Sequence, residues 1–503
     1  MRIEPVEEEP SSPEMHEAYP PAAYLRRRFV LLLIVLAVLL IFIGVVQRLG
    51  LEAGEGPAIQ ESALEGNVSM KLSYAYRRWM LPLGADRGRE RRIEAFEVAQ
   101  RRSAVAQYRS AVAENRSGDN IRRLIIIQYP SGRAAAIEQL AVRERLDLHT
   151  RRGLRGEAAM WRDIYLKSSA LKPTQVNAYA ARIRSLDLGW YEHLALADLY
   201  KRAGMIAAAE KERLAAARSA AWTIGSFLSL LVVLGLLGLI GVVLLRWYVL
   251  RKAGQRAEAT VPESAGYVRE LRAGLLLEAF VVYLAVTVVT QLTAGVIIGA
   301  RMAVLGEAGR TAEALFTACV YVLAGLLALL YLAYRLRSAG WSWGLVGFTT
   351  RNPFHDILWG IGGYAAALPL LLVVGLISRF VGRYVQSPTN PVVPLFVETE
   401  ALIGRVVLFA LVVLAAPFFE ELFFRGVLFN SFRAKWGVAV GVALSAAVFA
   451  SVHPLPVQFL PIFVLGAVFA MLLYERGSLL SSMVAHGLNN GMMFVMLLIL
   501  LGN

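Results

Sequence analysis

Residues 402–425 read LIGRVVLFALVVLAAPFFEELFFR, an apolar run that carries two adjacent carboxylates, Glu420 and Glu421, near its end. A helix crosses a bilayer with roughly 20 mostly apolar residues, and this run is long enough to do so. Ionisable groups at membrane depth are costly, so each is a functional-site hypothesis by default. A carboxylate pair among four phenylalanines is hard to explain as solvated surface. The stretch therefore predicts both the solvent of the fold and the place of its chemistry.

The rest of the chain agrees with the first of these predictions. Of 503 residues, 57% are hydrophobic and only 18% are charged, against about a quarter charged in ordinary soluble proteins. The mean hydropathy is +0.53. The formal net charge of +14 raises the question of nucleic acid, but many of the Arg and Lys residues flank apolar runs. There they set topology and meet anionic head groups, and no nucleic-acid partner is expected. The single cysteine, Cys319, lies within an apolar run; it can form no intramolecular disulfide and no Cys-based metal cluster.

Five segments follow from composition. Residues 1–25 are rich in Pro, Glu and Ser and read as a disordered cytoplasmic tail. Arg26, Arg27 and Arg28 precede an apolar run from Phe29 to Val46, so residues 26–48 read as an uncleaved signal-anchor helix. Residues 50–220 are Arg- and Ala-rich with apolar residues at helical spacing, and predict a soluble helical domain. Within it, Trp190, Leu194, Leu196 and Leu199, a turn at Gly204, and Ala208, Leu214 and Ala215 suggest an antiparallel helical pair. The pair looks somewhat like one tetratricopeptide repeat, though such units need stacked neighbours. Residues 221–334 hold three further spans, and 335–503 hold the remainder.

Beyond the first run, eight apolar runs fall near 222–245, 274–300, 313–334, 354–377, 402–424, 436–453, 457–474 and 478–501. The expected fold is an all-α polytopic bundle of about nine transmembrane helices with one soluble helical domain. With a cytoplasmic N-terminus, every second boundary should be basic. Arg246, Arg251 and Lys252, then Arg335 and Arg337, then Arg433 and Lys435, then Arg476 stand at those boundaries. Residues 50–220 are then extracytoplasmic, and their arginines do not object, because long loops translocate largely regardless of charge.

Polar residues in the last third fall at helical spacings. Glu421 and Arg425 are four apart and share a helix face, where they can pair. Glu420 points elsewhere and keeps no local partner. Phe449 and His453 are again four apart, with Pro454 following, and so are His486 and Asn490. Taken singly, each could be interhelical glue. Together, three helices offer polar groups to one oily segment.

Glu420-Glu421-x-x-x-Arg425, Phe449-x-x-x-His453 and His486-x-x-x-Asn490, in this order on separate helices, resemble the three motifs of the CAAX prenyl endopeptidase and bacteriocin-processing family. The stretch Trp341-Ser342-Trp343-Gly344-Leu345-Val346-Gly347-Phe348 resembles the segment that leads into that domain, and the likeness covers roughly 335–503. It implies an intramembrane glutamate endopeptidase. Glu420 would activate water, and His453 would help to hold it. His486 and Asn490 would stabilise the oxyanion, and Glu421, Arg425 and Phe449 would brace the site. The implied substrate is a membrane-embedded or membrane-tethered protein or peptide. No cofactor is expected: two histidines and a glutamate could ligate zinc, but His-Glu-x-x-His is absent, and a metal-independent mechanism is preferred.

Two other classes stay open at this stage. An ion- or proton-coupled transporter could use Glu420 and His453 as a relay, although no second Glu-Glu-x-x-x-Arg segment marks an inverted repeat. A non-enzymatic scaffold would use the extracytoplasmic domain. Gly340-x-Ser342-x-Gly344 matches a nucleophile elbow by letters only, since no strand is expected before it.

Overall fold

The computed structural model of the protein describes residues 21–53, 61–83, 87–114, 118–146, 156–253, 265–305, 310–349, 352–382, 395–396, 399, 401–453 and 456–501. Most of the expected N-terminal tail lies outside the described residues. Sixteen helices are numbered here in chain order, and among the described residues no strand occurs. The first is α1 (Ala22–Ala53), followed by α2 (Glu61–Met80), α3 (Arg87–Glu114), α4 (Gly118–Ile127), α5 (Pro130–Leu146) and α6 (Glu157–Tyr165). Then come α7 (Pro173–Arg184), α8 (Trp190–Arg202), α9 (Ile206–Ala253), α10 (Ala265–Leu305), α11 (Arg310–Ser338) and α12 (Pro353–Val381). The last four are α13 (Leu402–Trp436), α14 (Val438–Ser451), α15 (Phe459–Arg476) and α16 (Leu479–Leu501).

All nine apolar runs are helical, and eight of the helices are long and apolar enough to cross a membrane. The exception is α14, with 14 residues. At about 1.5 Å per residue it spans roughly 21 Å, short of the ~30 Å core. Val452 and His453 leave the helix, and the sequence continues into Pro454, which cannot extend it.

Two compact units divide the chain. Among the described residues, one gathers those of 1–49, 240–386 and 406–489, the other those of 50–239, 387–405 and 490–503.

In the first unit, helix ends that the charge pattern assigns to one side meet in ion pairs. Glu278 of α10 takes Arg28 of α1 and, at 2.9 Å, Arg335 of α11, while the Tyr331 hydroxyl donates to it at 2.7 Å. Lys435 of α13 pairs with Glu270 of α10. Arg476 of α15 pairs with Asp356 of α12 at 2.9 Å, and Lys252 of α9 with Glu475 at 2.7 Å. Beside them α1 packs inward through Phe29 and Leu36, both nearly fully buried, with the Phe29 ring edge-on to Trp436 at 5.6 Å. This helix is an integral part of the bundle.

In the second unit, α2 to α8 and the start of α9 share a core around Tyr108, Ile125, Trp161 and Leu199. The predicted antiparallel pair is present. Gly204 turns the chain at a φ of 76°, a conformation that favours glycine. The Trp190 indole then donates to the Ala216 carbonyl at 2.9 Å, and His193 meets Glu212 at 2.7 Å. Sequence neighbours pack on one another from α2 to α6. Arg101 and Arg133 donate to carbonyls of residues 125–128 at the C-terminus of α4, where cations complement the exposed carbonyls and the helix dipole. At its other end the chain joins this unit through Asn67 of α2, which donates to the Leu500 carbonyl at 3.5 Å.

Candidate active site

The helix that carries the two carboxylates is not a regular α-helix. It winds as a π-helix over Leu411–Ala415 and again over Glu421–Phe429. The first stretch has a local cause: Pro417 cannot donate to the Val413 carbonyl, and its ring would strike that carbonyl in a normal turn. The chain widens there, and Gly487 of α16 comes close to the Val413 carbonyl, so that a Cβ on Gly487 would stand 2.9 Å from the oxygen. In the second stretch all nine residues are buried. Such windings are rare and recur at functional sites.

Glu421 is fully buried, and the pairing expected with Arg425 is present, Nη1 to Oε1 at 2.8 Å. Cation–π attraction in a desolvated place, about 2 kcal/mol or more, helps to offset burial of the guanidinium. Its carbon lies 4.0 Å from the ring centre of Phe449 and 5.1 Å from that of Phe469. Phe449 is the hub of this packing, edge-on to Phe424 at 5.0 Å, His453 at 4.8 Å and His486 at 5.9 Å.

His486 brings the second helix into the cluster. Its Nδ1 lies 2.7 Å from Glu421 Oε1, so the same oxygen accepts from imidazole and guanidinium. That contact makes Nδ1 a donor, and the other ring nitrogen, Nε2, faces Glu420 Oε2 at 3.8 Å. The ring stacks on Phe469 at 5.0 Å. Carboxylate, imidazole and second carboxylate thus lie in a row, an arrangement that can hold and move a proton.

Glu420 differs from its neighbour, with 18% of its side chain exposed. It lacks a partner on its own helix, as expected, but α11 supplies one: the Tyr321 hydroxyl donates to Oε1 at 3.2 Å. His453 gives its Nδ1 proton to the Phe449 carbonyl at 2.7 Å, which leaves Nε2 as an acceptor. Contacts thus join Glu420, Glu421, Arg425, Phe449, His453 and His486. Asn490 sits one helical turn beyond His486 on α16 and falls in the other compact unit. Among the described residues, no group of three His, Cys, Asp or Glu side chains converges to hold a metal.

Two openings meet at Phe419. One is a groove of about 560 Å³ between α11 and α13, lined only by apolar residues including Val322, Leu411, Leu414 and Phe418. The other is a narrow cleft on the α10 side, bordered by Tyr283 and Tyr321. Gly325 lets Phe419 pack between them, because a Cβ there would stand 2.6 Å from the ring. The Trp341–Phe348 segment braces the far side. It holds a short 3-10 turn, Trp343–Val346, with no strand before it, and Val346 is buried against Gly426, where a Cβ would meet the Val346 carbonyl at 2.7 Å.

Motif spacing did not point to Tyr321, although a phenol inside the apolar run 313–334 was a visible signal. The π-windings had no signal beyond Pro417.

Against known families, residues 402–492 match the model described as type II CAAX prenyl endopeptidase Rce1-like. The match spans α13 to most of α16 and leaves the larger part of the chain unmatched. No curated protein and no solved structure matches the chain.

Proposed function

We propose that the protein is an intramembrane glutamate endopeptidase, on the premise that residues 402–492 match the type II CAAX prenyl endopeptidase Rce1-like model and lie on a multi-pass membrane protein. The observation that carries the proposal is the row Glu421–His486–Glu420, with Glu421 and Arg425 buried at one end and Glu420 partly exposed at the other, inside the matched segment.

In this reading Glu420 is the general base that takes a proton from water. His453, with its Nε2 open, helps to hold that water. As the carbonyl becomes tetrahedral, His486 and Asn490 stabilise the oxyanion, since donors at a water-poor site are worth more than in solution. Glu421 holds the imidazole in place, and Arg425 balances the charge of Glu421. Glu420 then returns its proton to the leaving amine. The mechanism needs no metal.

The substrate is a membrane-embedded or membrane-tethered protein or peptide. The wholly apolar groove beside Phe418 and Phe419 favours a chain already at home in lipid over a soluble one. On sidedness, we read the N-terminus as cytoplasmic and residues 50–220 as extracytoplasmic. The described residues of 387–405 and 490–503 cluster with those of 50–239, which supports nine crossings with the short α14 counted as one, because an even number would separate the two ends of that cluster.

The test is cleavage of membrane-tethered reporter peptides by the full-length protein in liposomes. Wild type should cut in the presence of a chelator, and Glu420→Gln should lose at least about a hundredfold in kcat, the scale of a general base. Loss on chelation with recovery in zinc would replace the mechanism with a metal-dependent one. Proton-coupled flux without cleavage would replace the enzyme with a transporter.

A further inference from the structure

Hydrolysis consumes one water per peptide bond, yet the groove that suits the peptide is apolar throughout. The second opening at Phe419 is different. It is lined by Tyr283, Thr287, Thr290 and Gln291 of α10 together with Tyr321 and Phe419. On a helix these four α10 positions, spaced i, i+4, i+7 and i+8, form one face. They cover about 12 Å of helix length at the usual rise. The volume open to the centre of a water molecule is about 10 Å³, close to one probe sphere, so the cleft has room for about one water at a time.

The threonines alone would carry no argument. Thr287 donates to the Tyr283 carbonyl at 2.9 Å and Thr290 to the Val286 carbonyl at 2.8 Å, the ordinary way in which a membrane helix satisfies such hydroxyls. Gln291 is the telling residue. Its side chain is exposed at membrane depth, and an amide left without hydrogen bonds in hydrocarbon costs several kcal/mol. A wet face removes that cost. The threonine protons are committed to backbone, so their oxygens offer lone pairs to water. At the inner end stands Tyr321, whose hydroxyl donates to Glu420.

We propose that this stripe is the route by which the hydrolytic water reaches Glu420, entering past Gln291 and Thr290 and passing Thr287 to Tyr321. The inference rests on the reading of Glu420 as the base. There the water gives one proton to the carboxylate, its oxygen forms the new bond to the carbonyl carbon, and that proton leaves on the released amine. Substrate and water thus approach on opposite flanks of Phe419, and neither has to displace the other.

The test uses thiol chemistry in the full-length protein in liposomes. Cys319, the one native cysteine, is replaced (Cys319→Ala), and single cysteines are placed by Thr287→Cys, Thr290→Cys, Gln291→Cys and, on the outward face, Val289→Cys. Silver ion is the probe, being small and confined to water, and unreacted thiols are counted with a maleimide after denaturation. The three stripe positions should react at least about ten times faster than Val289→Cys. In parallel, Gln291→Leu should lower kcat about tenfold with KM unchanged. Equal thiol rates, or fast rates with an unaffected Gln291→Leu, would overturn the route. Labelling needs no catalysis, so failure of the peptidase reading would show separately, as cleavage that survives Glu420→Gln while the thiol rates stand.

Discussion

Nδ1 of His486 lies 2.7 Å from Oε1 of Glu421, the same oxygen that binds Arg425. This relationship divides labour between two adjacent carboxylates. Glu421, fully buried, holds the imidazole and neutralises the guanidinium. Glu420, partly exposed and facing the other imidazole nitrogen, is the carboxylate that the proposed mechanism uses as its base.

Stability and activity should therefore separate at these positions. Glu421→Gln leaves a buried guanidinium without its counter-charge, and breaking a buried pair costs about 3–5 kcal/mol. Glu420→Gln should cost far less, because no buried ion pair is broken. Replacing both partners with Glu421→Met and Arg425→Met should recover most of the stability without recovering cleavage, since nothing then orients His486. Thermal unfolding in detergent, read beside reporter cleavage, checks all three variants.

Tyr321 is the one hydrogen-bond donor from outside the matched segment that touches Glu420 among the described contacts. Tyr321→Phe keeps the ring and removes the hydroxyl. A hydrogen bond to a charged group is worth about 1.5–3 kcal/mol, so kcat should fall roughly tenfold to a hundredfold. KM should hold, because the apolar groove is untouched. A rise in KM with kcat preserved would make Tyr321 a substrate contact instead.

At Gly325 the prediction is steric. Gly325→Ala places a Cβ 2.6 Å from the Phe419 ring, and overpacking costs about 1–3 kcal/mol. The ring must move, and the flank of Glu420 moves with it. Activity should drop by at least about tenfold on that ground. Pairing the change with Phe419→Leu should restore stability, which differential unfolding can read.

The helical domain offers a pH prediction. Lys71 is buried in α2, and burial, reinforced by the nearby Arg123 charge, pulls its pKa down to about 8. Between that value and the ordinary lysine range the unfolded chain binds more protons than the folded one, so stability rises with pH across the interval. Lys71→Met should stabilise the domain at neutral pH, and the gain should shrink as pH rises above 8. Hydrogen exchange of the amides of residues 61–220, followed in the whole protein, measures this.

What local sequence decides here is what lies within one helix. Nine apolar runs are helices because hydrocarbon leaves the backbone no outside partner, so each run must satisfy its own hydrogen bonds. Glu421 and Arg425 pair because four residues bring two side chains to one face, and the π-winding leaves them paired. Gly204 turns its helical pair for an equally local reason.

What tertiary structure decides is everything that joins separate helices. Glu420 meets Tyr321 across 99 positions, and Glu421 meets His486 across 65. No periodicity encodes which faces of two membrane helices come together, because lipid is as apolar as the side chains and gives no burial signal. The choice falls to close packing, such as Phe419 over Gly325 and the Val413 carbonyl beside Gly487, and to polar groups that find their partners only once the bundle has formed.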